Sequence, residues 1–250
     1  MAFLRPMLIA ICLAWPAIPH AQAKDSVDRE ATLLDRPQSV QRVSPKSASD
    51  PVGELRCSYY KDLMIRETGT DTPMPGNAAL IPLAAGPARP SCTGSAGELA
   101  LQTAGFSFLG RKGPFLFFRQ TNPNGAVPFM IIDAADGKPL YHDSEYGDGF
   151  RSIKEAKSSL HLLYTRGVNG ACSIYREGAA CWAKMMDEGK VPRVMEQSQP
   201  SVQLCGTAYR RLNVSADVPS IVYYDVNVTL GRSGKVHVNS RGETNCAPVP

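Results

Sequence analysis

Ile221-Val222-Tyr223-Tyr224-Asp225-Val226-Asn227-Val228-Thr229-Leu230 is the stretch that decides the fold. Val222, Tyr224, Val226, Val228 and Leu230 fall on one side of an alternating pattern. Tyr223, Asp225, Asn227 and Thr229 fall on the other. A period of two with one apolar side predicts a strand that packs one face on a core and wets the other. Gly231-Arg232-Ser233-Gly234 then turns the chain, and Lys235–Ser240 returns with Val236 and Val238.

Working outward, the same logic finds more strands. Phe115–Phe118 is an apolar, aromatic run that stops at Asn122-Pro123-Asn124-Gly125, a turn-forming tetrapeptide. Val127–Asp133 runs into Ala134-Ala135-Asp136-Gly137, and Pro139–His142 supplies the return. Asp-Gly between two such runs is a strong hairpin signal, so these segments predict a three-stranded antiparallel meander. Cys57–Ile65, Glu98–Thr103 and Leu160–Thr165 are weaker runs of the same kind. Helix is scarce. Gly178–Glu188 places Ala179, Trp182, Ala183, Met185 and Met186 on one face, with Gly189 and Pro192 to end it. Ser152-Ile153-Lys154-Glu155 fits a capping box and predicts a single turn. Residues 71–91, with five prolines, read as a long loop. The expected class is mainly β: antiparallel sheets, sandwich-like or an open barrel, with one or two short helices and disulfide staples.

The front of the chain reads as a secretory leader, residues 1–23. Arg5 is its positive flank, Met7–Trp15 its apolar run, and Ala21-Gln22-Ala23 a small-x-small cleavage site. That expectation places the mature chain in the periplasm or outside the cell, where cysteines pair. Ile11 before Cys12 is not the small residue a lipoprotein leader needs, so no lipid anchor is expected. No later apolar run approaches the roughly 18–20 residues of a membrane-spanning helix. Residues 24–52 carry five acids and five bases and no aromatic residue, which predicts a flexible, charge-balanced tether. The folded body, 53–250, is expected as one domain, with residue 151 the place where a subdivision would fall.

Six cysteines follow the leader: Cys57, Cys92, Cys172, Cys181, Cys205 and Cys246. Pairing as sequence neighbours is the expectation adopted, although six cysteines allow 15 connectivities in general. None sits in a CxxC, and few histidines follow the leader, so neither a metal site nor a cofactor is predicted. The chain holds 27 Lys and Arg, Arg5 among them, against 23 Asp and Glu. The mature balance of about +3 is too mild to call for a nucleic-acid partner.

Several motifs bear on chemistry. Gly105–Lys112 (GFSFLGRK) echoes a phosphate-binding loop, but Arg111 stands where the lysine belongs and Lys112 where the hydroxyl belongs. His142-Asp143-Ser144-Glu145-Tyr146-Gly147-Asp148-Gly149 is the densest polar cluster. It reads as a polar surface loop whose candidate residues are His142, Asp143, Glu145 and Asp148. Its spacing fails the calcium-loop pattern, and carboxylates are common in plain turns. Thr93-Gly94-Ser95-Ala96-Gly97 lacks the form of a nucleophile elbow. Tyr59-Tyr60 and Tyr223-Tyr224 are adjacent pairs on expected strands, so one ring of each pair should be exposed. Tyr60 and Tyr223 are the candidates, and exposed tyrosines on a sheet suit contacts with ligands or proteins.

No residue pattern here announces catalysis. The expected function is a non-catalytic β module that binds a ligand or an envelope protein, as an inhibitor or accessory factor. The alternative is a hydrolase of envelope or extracellular polymers. Its two carboxylates would be brought together by the fold, roughly 5–10 Å apart in a deep cleft.

Overall fold

A computed structural model describes residues 31–44, 54–69, 77–83, 90–93, 97–120 and 125–249. The expected leader lies outside them. The protein is mainly β, built from two antiparallel sheets. The smaller sheet runs in chain order through β1 (Ser39–Val43), β2 (Leu55–Tyr59), β3 (Leu63–Thr68), β4 (Ala78–Pro82) and β5 (Leu99–Ala100). The larger is a seven-stranded meander. Its strands are β6 (Phe106–Lys112), β7 (Phe115–Gln120), β8 (Val127–Asp133), β9 (Pro139–Ala156), β10 (Ser159–Asn169), β11 (Ser220–Gly231) and β12 (Val236–Pro248). Between β10 and β11 lie α1 (Ile174–Glu177), α2 (Ala179–Asp187), a 3-10 turn (Arg193–Ser198) and α3 (Val202–Leu212).

The apolar pattern explains the layers. On β7, Phe115 and Phe117 point into one core, while Leu116 and Phe118 point into another. β8 repeats this, with Phe129 and Ile131 on the first side and Met130 and Ile132 on the second. A strand buried on both faces needs an unbroken apolar run, which is what Phe115–Phe118 supplies. The second core is shared with Leu63, Ile65 and Leu80 of the smaller sheet, so the two sheets pack as a sandwich. Glu67 of β3 also accepts the Phe108 N–H of β6 at 2.6 Å, a buried polar link between the layers. The first core is completed by the helices through Ile174, Trp182, Met185 and Tyr209. The alternating strand behaves as expected: Val222, Tyr224, Val226, Val228 and Leu230 are all at most 1 % exposed, and all belong to that core.

The disulfides join Cys57–Cys92, Cys172–Cys181 and Cys205–Cys246, with Cα separations of 5.8, 5.7 and 5.1 Å. Those separations lie in the ordinary range for disulfides, and such bridges suit an oxidising compartment. They tie β2 to the segment before β5, α2 to the segment between β10 and α1, and α3 to β12. No helix of the described residues is long and apolar enough to cross a membrane.

Three sequence expectations are corrected. Part of the stretch read as a tether is folded: β1 pairs with β2 from Ser39↔Tyr59 to Val43↔Leu55, and Leu34 is 8 % exposed in the larger core. Leu34, Val40 and Val43 are few, but they land on a ready-made edge and seam, where main-chain pairing supplies what side chains lack. Within the Pro-rich 71–91 stretch, Ala78–Pro82 forms β4, paired with β3. Ser152–Glu155 opens no helical turn; it lies in β9, with Ile153 opposite Leu162 and 4 % exposed. Tertiary pairing overrides a local capping signal there. One helix went unread: α3 is capped by the Ser201 hydroxyl, which accepts the Leu204 N–H at 3.1 Å, and by Asn213 in the left-handed conformation.

Candidate functional site

A cavity of about 720 Å³ opens at the junction of the two sheets. Three segments build it. The first is residues 34–38, which strap the N-terminal side of the fold across β6. The Asp35 N–H donates to the Arg111 carbonyl at 2.7 Å. Its carboxylate accepts the Gly113 N–H at 2.8 Å and pairs with Lys112 Nζ at 3.3 Å. Leu34 lies so close that a Cβ on Gly110 would meet it at 2.7 Å, so only glycine lets the strap lie flat.

The second segment is the β2–β3 hairpin. The Tyr60 N–H donates to the Leu63 carbonyl at 2.8 Å, leaving Lys61 and Asp62 as its tip. The third is Arg111 on β6. Its Nη1 and Nη2 grip both Asp62 oxygens, the second at 2.9 Å, while Nε donates to the Gly113 carbonyl. The guanidinium stacks 5.4 Å from the Tyr60 ring centroid. Its hydrogen bonds hold the Asp62 carboxyl below the usual carboxylate range.

Charge is therefore distributed unevenly. Asp62 is matched by Arg111 and Asp35 by Lys112. Arg36 and Lys61, which also line the cavity, are exposed and have no carboxylate partner among the described residues. Tyr60 is 5 % exposed, packed edge-to-face on Phe108, yet its hydroxyl makes no hydrogen bond with the described residues. Burial raises its pKa to about 12, against the opposing Arg111 charge, so at neutral pH it is an O–H donor. Among the described residues the lining holds no histidine, cysteine or serine, and its two carboxylates are engaged. Such a site can hold a ligand.

A second cavity of about 440 Å³ lies over the larger sheet, lined by Asp143, Ser144, Arg166, Asn169 and Lys190 among others. Here one carboxylate oxygen collects most of the donors. Asp143 Oδ2 accepts from Tyr141 Oη at 2.6 Å, from Tyr164 Oη, and from Arg166 Nε at 2.8 Å and Nη2. Oδ1 accepts the Ser144 N–H at 2.9 Å. Burial and the Asp143 charge both push the Tyr164 hydroxyl well above its ordinary pKa. Burial works against the Arg166 charge, but Asp143 outweighs it and keeps the guanidinium protonated.

The sequence candidates are dispersed by this geometry. His142–Asp148 is not a loop: it runs within β9, and its glycines are absorbed as irregularities, with Gly147 and Gly149 at φ 79° and 71°. Strand alternation then separates the cluster. Asp143 faces Arg166. Glu145 is 3 % exposed and paired with Arg119. His142 is exposed and meets the Phe106 ring, with centroids 5.8 Å apart, and Asp148 is exposed. Tyr60 is not the exposed member of its pair. Both Tyr59 and Tyr60 are buried, because the smaller sheet is covered on both faces. Tyr223 is half-buried and stacks on Tyr146 with ring centroids 4.8 Å apart. The residues that sequence reasoning missed are Arg36, Lys61, Asp62, Arg111 and Arg166. The Cys57–Ile65 run, expected as one strand, breaks at Lys61-Asp62 into β2 and β3, so the tip residues were hidden inside it.

Comparison with known proteins gives no match: no family model, curated protein or solved structure matches the chain.

Proposed function

We propose that the protein is a non-catalytic binding module that works in the periplasm or outside the cell, taking a ligand or a partner's side chains into the junction cavity. A role as an inhibitor or accessory factor fits such a module. The observation that carries this reading is the cavity itself. Its size lies within the roughly 300–1,000 Å³ of small-molecule sites, its carboxylates are already paired, and its aromatic floor is fixed by packing. The hydrolase reading has one observation in its favour, since Asp143 and Glu145 share a face of β9 two residues apart. Against it, Asp143 is loaded with donors on both oxygens and Glu145 is held by Arg119, so neither is poised as an acid or nucleophile.

The test is a thermal-shift screen of the mature protein against small-molecule, glycan and protein fractions of the envelope, run beside Leu83→Trp, which fills the cavity. The expected outcome is a fraction that raises the melting temperature of the parent and leaves Leu83→Trp unmoved, because ligands stabilise only the state that binds them. Equal shifts in both proteins would move binding away from this cavity. Chemical turnover of a fraction by the parent and by Leu83→Trp alike would replace the binding reading with an enzymatic one.

A further inference from the structure

We infer that the junction cavity takes a phosphate monoester, its oxyanion held between Arg36 and Lys61, with the Tyr60 hydroxyl donating a third bond. The inference rests on the reading of that cavity as the binding site and names the chemistry it selects. The argument begins with the charges. Among the described residues, five ionic side chains line the cavity: Asp35, Arg36, Lys61, Asp62 and Arg111. The two carboxylates are spoken for, Asp62 by both arms of Arg111 and Asp35 by Lys112 and the Gly113 N–H. Neither is left to neutralise the remaining cations. Two positive charges therefore face the opening without partners among the described residues, and a phosphate monoester, at about −1.5 to −2 near pH 7, matches them.

The second observation is independent of charge. The Tyr60 side chain is buried and lines the cavity, and its hydroxyl makes no hydrogen bond with the described residues, so it is available to donate to an oxygen placed there. Its ring is fixed by Phe108 on one side and Arg111 on the other, so the donor is held in place before any ligand arrives. Arg111 contributes through the same stack: with its fork on Asp62 it fixes the hairpin tip that carries Lys61. Arg36 sits on a different element, beside Asp35, whose backbone and side chain are both tied to the β6–β7 corner. Two cations on separately anchored backbone elements therefore line the same opening as that hydroxyl.

A phosphate monoester reaches such a site from a soluble ester or from a lipid headgroup. Two probes separate the sources: glycerol 3-phosphate measured by calorimetry, and vesicles containing phosphatidic acid measured by co-sedimentation. With the mature protein, the expected result is saturable binding to at least one probe. Arg36→Ala and Lys61→Ala should each weaken it about tenfold, the loss of a hydrogen bond to a charged group. Tyr60→Phe, which keeps the packing, should weaken it several-fold with an unchanged melting temperature. Lys154→Ala, an exposed cation on β9 outside the cavity, should bind as the parent does. Binding to the ester marks a soluble ligand, and binding to vesicles alone marks a headgroup; both support the inference. The inference is overturned if neither probe binds. It is equally overturned if Lys154→Ala weakens binding as much as Lys61→Ala, which would indicate general charge attraction. The broader binding reading survives either failure if an uncharged envelope fraction still stabilises the parent but not Leu83→Trp.

Discussion

Replacing Asp143 with alanine should destabilise the protein far more than its single lost carboxylate suggests. Its side chain is 13 % exposed and that of Arg166 14 %, so the pair sits almost wholly out of water. Removing the carboxylate strips Arg166 Nε of its acceptor, leaves Nη2 only the Tyr141 hydroxyl at 3.0 Å, and removes the counter-charge. The two tyrosines suffer less, because Tyr141 and Tyr164 also bond to each other at 2.9 Å. The cost is then mainly that of an unpaired buried cation, about 3–5 kcal/mol. Against a typical domain stability of about 5–15 kcal/mol, that is a large fraction. Urea unfolding followed by fluorescence of Trp182, which is 2 % exposed, would measure it. The second arm is the double variant Asp143→Ala with Arg166→Met, which removes the stranded charge and should recover most of the loss. A coupling of about 2 kcal/mol or more between the two sites is expected for groups in direct contact. If Asp143→Ala costs less than about 1 kcal/mol, the range of ordinary surface changes, the network is not buried as described and the reasoning fails.

Three further outcomes follow from the fold. Val226→Asp should cost several kcal/mol by burying a carboxylate in the apolar face of β11, whereas Thr229→Asp on the wet face should stay within about 1 kcal/mol; chemical denaturation of both decides the strand's phase. Leu34→Ala should cost about 2–4 kcal/mol, reading out how firmly the strap docks on β6 through the melting temperature. Tyr60 ionises near pH 10 when unfolded and near pH 12 when folded, so its contribution is complete below about pH 10 and is lost as pH rises to about 12. The loss should reach about 2–3 kcal/mol, and Tyr60→Phe should abolish that part of the alkaline decline in a pH series of unfolding curves.

What the sequence disclosed followed from short-range physics. The unbroken apolar runs of β7 and β8, the alternation of β11 and the helix at Ala179–Asp187 were legible because burial leaves its mark on consecutive residues. The disulfide partners were legible because neighbour pairing is the simplest closure of three separate loops. β1 was hidden because its side chains are mostly exposed and its stabilisation comes from pairing with β2, which leaves no apolar pattern. The polar run His142–Asp148 looked like a turn because glycines and carboxylates favour turns; as part of β9 it draws on Arg119 and Arg166, 26 residues before Glu145 and 23 after Asp143. The junction cavity was the least legible feature. Asp35, Asp62 and Arg111 are linked across 49 and more positions, and a long-range ion pair imposes no local period.

The most direct test of the account is an NMR titration of the ¹⁵N-labelled mature protein with glycerol 3-phosphate. The account predicts that the largest amide shifts fall on Gln38, Lys61, Asp62 and Gly113, around the junction cavity. Shifts centred instead on Gly167, Val168 and Lys190, around the Asp143–Arg166 cavity, or no saturable shifts at all, would contradict it.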